Sequence, residues 1–79
     1  MNTIAKIYVY LLDEGTDVWR PVDAIQVGDA TYEIVGRNGD PEDEHWEFDT
    51  GDLVRCEQRA LSGGMHIIAV ERLSPKQKD

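Results

Sequence analysis

Cysteine is almost absent from the sequence, which limits its covalent and metal chemistry. Cys56 is the only cysteine among 79 residues, so an internal disulfide framework and a multi-cysteine zinc site are excluded. A single thiol is typical of proteins from reducing compartments. We therefore expect a cytoplasmic protein that carries no cofactor.

Long hydrophobic runs are also lacking. The most apolar stretch, residues 3–12 (TIAKIYVYLL), is far shorter than the roughly 20 residues of a membrane helix. Two tyrosines interrupt it, acids follow at once, and no small-residue cleavage pattern marks it as a signal peptide. We predict a first β-strand here and no membrane association.

Basic residues are scarce, with 8 against 16 acids and a net charge of −8. Because affinity for nucleic acids comes mainly from Lys and Arg, direct nucleic-acid binding is not expected. An acidic balance serves solubility, and less often it attracts a basic partner. Residues 38–52 hold no base and these acids: Asp40, Glu42, Asp43, Glu44, Glu47, Asp49 and Asp52.

Helical periodicity is missing, whereas the two-residue alternation of half-buried strands is present. It is clearest in residues 3–12, where one face is wholly apolar. That face consists of Ala5, Ile7, Val9 and Leu11. Further strands, with turn signals between them, are predicted over residues 18–27, 30–37 and 65–73.

The second predicted strand contains Pro21, which has no N–H for a ladder and belongs at a sheet edge or a bulge. The apolar residues after Pro21 also change face. We therefore predict an interruption near Arg20 and Pro21, with a β-bulge that lets the sheet curl. A short helical turn over residues 23–27 is the alternative.

The centre of the sequence, residues 45–60, predicts a hairpin. Trp46 and Phe48 share one face of a short strand, residues 49–52 form a polar turn, and a second strand follows. The chain has one phenylalanine and two tryptophans. These large side chains are therefore expected to build much of the core.

Together the patterns predict one all-β domain, residues 1–73, and a polar tail, residues 74–79. Short strands separated by turns are typical of small barrels and sandwiches. We predict an SH3-like, strongly bent antiparallel barrel of five to six strands, with a radius of gyration of about 12 Å. Pairing into a homodimer is one way for so small a domain to gain stability.

Two islands of sequence cover most of the middle of the chain: VWRPV at residues 18–22, and WEF followed by GDLVRCE within residues 46–57. They resemble a group of small uncharacterised bacterial proteins with a VWRPV…WEF..GD.VRCE pattern. The GDLV element also resembles turns of SH3-like barrels. The resemblance implies a compact bacterial β-domain and brings no activity or catalytic residues.

The aromatic residues suggest a surface for a protein partner, because SH3-type barrels bind extended peptides on aromatic-lined grooves. The alternative for both tryptophans is packing in the core or at a barrel end. An acidic loop would form the rim of the surface and act mainly on the association rate. The predicted contact residues are Tyr8, Tyr10, Trp19, Arg20, Glu42, Asp43 and Glu44.

Other chemistry-bearing residues are better explained by structure. The acidic loop could bind Ca²⁺, but it lacks the ligand spacing of a calcium loop. Cys56 could act with a histidine as nucleophile and base, yet it alternates with Val54 on the predicted inward face. Arg55 and Arg59 flank Glu57 and are expected to pair with acids across strands.

No catalytic constellation is present, and we predict that the protein is not an enzyme. The leading hypothesis is a non-catalytic protein-interaction or accessory module. One alternative is an acidic neutralising protein that mimics nucleic acid and caps the basic site of a nuclease or other nucleic-acid enzyme. Another is a barrel that binds a small ligand or a metal.

Overall fold

A computed structural model describes residues 3–61 and 63–74, all of them in strands, turns or loops. The strands are β1 (Ile4–Leu12), β2 (Trp19–Gln26), β3 (Thr31–Ile34), β4 (His45–Trp46), β5 (Leu53–Leu61) and β6 (Gly64–Ser74). Within these residues no helix has the length and apolar character to cross a membrane. The predicted tail lies outside the described residues from position 75 onward.

Five of the strands form a closed ring, in the order β1-β2-β3-β5-β6 and back to β1. The all-β prediction is therefore confirmed. The prediction of an antiparallel sheet throughout is wrong, because β6 runs parallel to β1, with Tyr8 opposite Ile68. A ring with an odd number of strands cannot alternate direction at every pair, so one parallel pair is required.

The interior of the strand ring is apolar, as the alternation predicted. On β1, the side chains of Ile7, Val9 and Leu11 are buried, and neighbouring strands add the rest of the core. Those residues are Val22, Ala24, Tyr32, Ile34, Trp46, Phe48, Val54, Cys56 and Ala69. Burial of a large aliphatic side chain contributes about 1.5–3 kcal/mol, so this cluster is the main source of stability. The radius of gyration is 12.2 Å.

Strand β2 is regular, and the predicted interruption and the alternative helical turn are both wrong. Its residues 19–25 pair without a register shift with residues 4–10 of β1. Pro21 fits because its backbone faces away from β1. The carbonyl of Asp23, two residues on, faces the same way and accepts hydrogen bonds from the N–H groups of Val35 and Gly36, on the side of β2 away from β1. The missing donor of Pro21 therefore interrupts no ladder with β1.

The predicted central hairpin is also wrong, although its turn and its two buried aromatics are confirmed. Strand β4 pairs with β1, with Trp46 opposite Leu11, and does not pair with β5. The turn at residues 49–52 docks on β3 instead: Gly51 N–H donates to the carbonyl of Ile34 at 2.8 Å. Gly51 has a φ of 96°, which favours glycine.

Candidate functional site

Two pairs of aromatic side chains lie on the outside of the strand ring, across β2, β1 and β6. Trp19 and Tyr10 are opposite each other in the β1–β2 ladder, and their rings meet edge to face, with centroids 5.1 Å apart and planes at 68°. Tyr8 lies two residues along β1, and its ring is 4.6 Å from that of His66 on β6. We call these four residues the aromatic row.

A buried residue of β6 packs beside the aromatic row. Ile68 lies opposite Tyr8 and is only 1% exposed, yet it is not part of the interior core cluster. It is therefore buried on the outer side of the sheet, beside the row. The four aromatic residues themselves are half-buried, so each still presents surface to a partner.

One end of the aromatic row is acidic. The hydroxyl of Tyr10 donates a hydrogen bond to Asp17 at 2.9 Å. That bond and the negative charges of Asp17 and Glu47 raise the pKa of Tyr10. Glu47 follows β4, and its N–H donates to the carbonyl of Tyr10 at 2.9 Å. Partial burial raises the pKa of the Glu47 carboxyl. This end therefore combines two aromatic rings with two carboxylates.

A second feature is a groove of ≈ 370 Å³ between β2 and the loop of residues 36–44. We call it the end groove. Its walls carry bases and acids, and Trp46 contributes to its lining. Arg20 donates through its guanidinium to both carboxylate oxygens of Glu44. The indole N–H of Trp46 donates to the same carboxylate at 3.1 Å.

The Arg20–Glu44 pair makes stability depend on pH in a defined direction. Hydrogen bonds from Arg20 and, to a smaller extent, from Trp46 lower the pKa of Glu44 below the ordinary value of a glutamate. A carboxyl group whose pKa is lowered in the folded state stabilises the fold at pH values above its unfolded pKa. This contribution disappears as the pH falls through the pKa of the folded state.

For Glu44→Gln we therefore expect a loss of about 0.2–1 kcal/mol at pH 7, typical of a partly exposed pair. The difference from wild type should shrink as the pH falls below 4.5. Urea unfolding at several pH values measures it. Glu42→Gln, in the same loop, is the matched control. A deficit that stays constant down to pH 3 would show that the charge of Glu44 is not responsible.

The structure divides the predicted contact residues between two surfaces. Tyr8, Tyr10 and Trp19 lie together in the aromatic row. Arg20 does not join them, because it is opposite the buried Val9 in the β1–β2 ladder and its side chain reaches the end groove. The predicted surface is therefore not one continuous patch.

The predicted acidic rim is also separate from the aromatic row. Glu44 is bound in the end groove, whereas Glu42 and Asp43 are exposed on a hydrogen-bonded turn. In that turn, the N–H groups of Asp43 and Glu44 both donate to the carbonyl of Asp40. Sequence reasoning missed His66 and Ile68 as neighbours of Tyr8, since only the parallel β1–β6 pairing brings them there.

The remaining candidates have structural roles in the described residues. No group of three metal-ligating side chains is present in residues 3–61 and 63–74. Cys56 is only 5% exposed, and burial raises the pKa of its thiol to about 11. It is therefore a protonated core residue at neutral pH, as the alternation predicted. It borders a small cavity of ≈ 160 Å³.

The arginines of β5 form ion pairs, but only one of these pairs crosses to a neighbouring strand as predicted. Arg55 and Arg59 both bind the carboxylate of Glu57, at 2.7 Å each, and Arg55 also reaches Glu71 across the strands at 2.9 Å. These are exposed pairs, so each contributes little to stability. They do show that these two guanidinium groups are already occupied.

Comparison of the chain with protein-family models, with curated proteins and with solved structures finds no match. The geometry and the charge of two surfaces, the aromatic row and the end groove, therefore bear on the function. Of these, the aromatic row exposes more aromatic surface, because Trp46 in the end groove is buried, and the wall of the end groove carries the Arg20–Glu44 ion pair.

Proposed function

We propose that this chain is a non-catalytic protein-interaction module that binds its partner on the aromatic row. One observation carries the proposal: the ring pairs Trp19–Tyr10 and Tyr8–His66 lie half-buried on the same outer face, across three strands. Tryptophan and tyrosine are the residues that most often supply the binding energy of protein interfaces. Each ring offers a large area and loses few rotamers on binding.

The position of the row on a sheet also favours binding. Its residues are held in the paired strands β1, β2 and β6. The backbone beneath them therefore needs little ordering when a partner arrives, and this lowers the cost of association. The apolar interior is filled by the core residues. In the part of the chain that the structure describes, contact therefore falls to the outer faces and the surface grooves.

Within this proposal the strand ring is an SH3-like barrel. The closure of β1 onto both β2 and β6 supports a barrel, and peptide binding on an outer aromatic surface agrees with that type of fold. We propose that the protein acts in the cytoplasm of a bacterium, in line with its single cysteine and with the sequence resemblance.

A second candidate function, the neutralising mimic, is supported by the loop. Glu42 and Asp43 are exposed on a turn whose backbone is fixed by hydrogen bonds to Asp40. A fixed pair of carboxylates can occupy a site that normally binds phosphates, and it would steer a basic partner. This function uses the loop and does not require the aromatic row.

Affinity capture with matched variants separates the two functions. Wild type, Trp19→Ala and Met65→Ala are immobilised and exposed to a lysate of the cells that produce the protein. Met65 is an apolar residue with 61% exposure and serves as the control. We expect a protein that wild type and Met65→Ala retain and that Trp19→Ala loses, with affinity lowered at least about 30-fold.

Other outcomes contradict the aromatic-row proposal. Capture of the same proteins by Trp19→Ala would exclude the row as the contact surface. Capture that survives Trp19→Ala but is lost when Glu42 and Asp43 are changed to Lys would support the mimic. Circular dichroism of each variant must show that it is folded.

A further inference from the structure

The acidic end of the aromatic row has an unusual combination of groups. Trp19 and Tyr10 meet edge to face there, and Asp17 accepts a hydrogen bond from the hydroxyl of Tyr10. Glu47 is bonded through its backbone N–H to the carbonyl of Tyr10. We call these four residues the acidic corner. Neither of its two carboxylates forms an ion pair with a base in the part of the chain that the structure describes.

The bases nearest in the fold or the sequence have other partners. Arg20 follows Trp19 directly but binds Glu44 in the end groove. Lys6 lies on the outer face of β1 and pairs with Asp23 at 2.5 Å. Arg72 lies close enough for its charge to oppose the effect of burial on the pKa of the Glu47 carboxyl. Its hydrogen bonds go instead to the backbone carbonyl of Glu47 at 3.4 Å and to the carboxylate of Asp52 at 3.0 Å.

A purely apolar partner would fit the acidic corner poorly. Covering Asp17 and Glu47 would remove water from two carboxylates, and an ionised carboxylate is costly to bury unless it is paired. A cation on the partner fits both the acids and the aromatic rings. It pairs with the carboxylates, and it is attracted to the faces of aromatic rings.

We propose that the partner inserts an arginine side chain into the acidic corner; this inference rests on the proposed function of the aromatic row. Arginine fits better than lysine because its planar guanidinium stacks on an aromatic ring while its N–H groups bind carboxylate oxygens. The net charge of −8 attracts such a basic segment from a distance. Tyr8 and His66 then contact the apolar residues next to the arginine.

The test uses a defined probe, the acetylated and amidated peptide Gly-Val-Arg-Val-Gly. A matched peptide carries citrulline, a neutral isostere of arginine, at the central position, and a third carries lysine. Binding is followed by NMR through the indole N–H signals of Trp19 and Trp46, up to millimolar peptide. We expect the arginine peptide to shift the Trp19 signal and to bind about tenfold more tightly than the citrulline peptide.

Variants of the protein separate a specific site from general attraction. Asp17→Asn combined with Glu47→Gln should lower affinity for the arginine peptide about tenfold. The control combines Asp29→Asn with Glu42→Gln. It makes the same chemical changes and the same change in net charge at positions outside the acidic corner, and it should bind like wild type.

Several results would overturn the arginine assignment. They are no shift of the Trp19 signal, equal binding of the citrulline peptide, stronger binding of the lysine peptide, or equal losses in the corner and control variants. The proposed function fails separately, if the captured partner still binds Trp19→Ala. If a partner is lost with Trp19→Ala but binds Asp17→Asn/Glu47→Gln normally, the proposed function is supported and the arginine assignment is rejected.

Discussion

Replacing Trp46 with alanine should lower the free energy of unfolding by about 3–5 kcal/mol, the usual cost of removing a buried aromatic side chain. Trp46 is 8% exposed, packs in the interior core and donates its indole N–H to Glu44. A domain of this length has a total stability of about 4–12 kcal/mol. The variant should therefore be largely or partly unfolded, which urea titration monitored by circular dichroism would show.

The control is the same substitution at the other tryptophan. Trp19 is half-buried on the outer face, so Trp19→Ala should cost clearly less than Trp46→Ala. Trp46→Phe keeps an aromatic ring in the core and should lie between Trp46→Ala and wild type. If Trp19→Ala proved to be the more destabilising change, the assignment of the two tryptophans to core and surface would be reversed.

Asp52→Ala should lower the free energy of unfolding by about 1.5–3 kcal/mol, the range for hydrogen bonds to a charged group. Asp52 is 2% exposed. Its carboxylate accepts the N–H of Asp49 at 2.8 Å and the Nε–H of Arg72 at 3.0 Å. Removing it leaves the N–H of Asp49 and the guanidinium of Arg72, which lies over the ring of Phe48, without that acceptor.

Asp49→Ala is the matched control for this turn. It removes a carboxylate of the same type from an exposed side chain and keeps the backbone N–H that Asp52 binds. We expect a change within about 0.5 kcal/mol, as for most surface substitutions. Equal unfolding curves for Asp49→Ala and Asp52→Ala would show that the buried carboxylate does not hold the turn.

Much of the fold was predictable because β1, β2 and β5 each bury one face. The alternation of Ile7, Val9 and Leu11 with tyrosines predicted β1 and its inner face, and Val54 and Cys56 predicted the same for β5. These patterns depend only on side-chain direction along a strand. They therefore hold whichever strands become neighbours.

Pairing was harder to predict, because alternation does not say which strands meet. Trp46 and Phe48 indicated a buried strand next to a turn, and adjacency in sequence favoured a hairpin with β5. In the structure, the backbone bonds of the turn go to Ile34, and β4 joins β1. The closure of β6 on β1 depends on contacts between the two ends of the chain, for which no local sequence signal exists.

Part of the candidate site was also predictable from the sequence. Tyr8, Tyr10 and Trp19 were identified as a set because of their residue types, and the ladder brings them together. Arg20 was placed with Trp19 because the two are neighbours in sequence. Successive residues of a strand point to opposite faces, and a regular β2 therefore sends Arg20 to the end groove.

The most direct test of the central claim is to map the surface that a captured partner covers, by hydrogen exchange of the backbone amides and by NMR shifts of the side chains. Our account predicts changes centred on Tyr8, Tyr10, Trp19 and His66, with the indole signal of Trp46 unchanged. Changes confined to the loop at residues 40–44, or to the end groove, would contradict it.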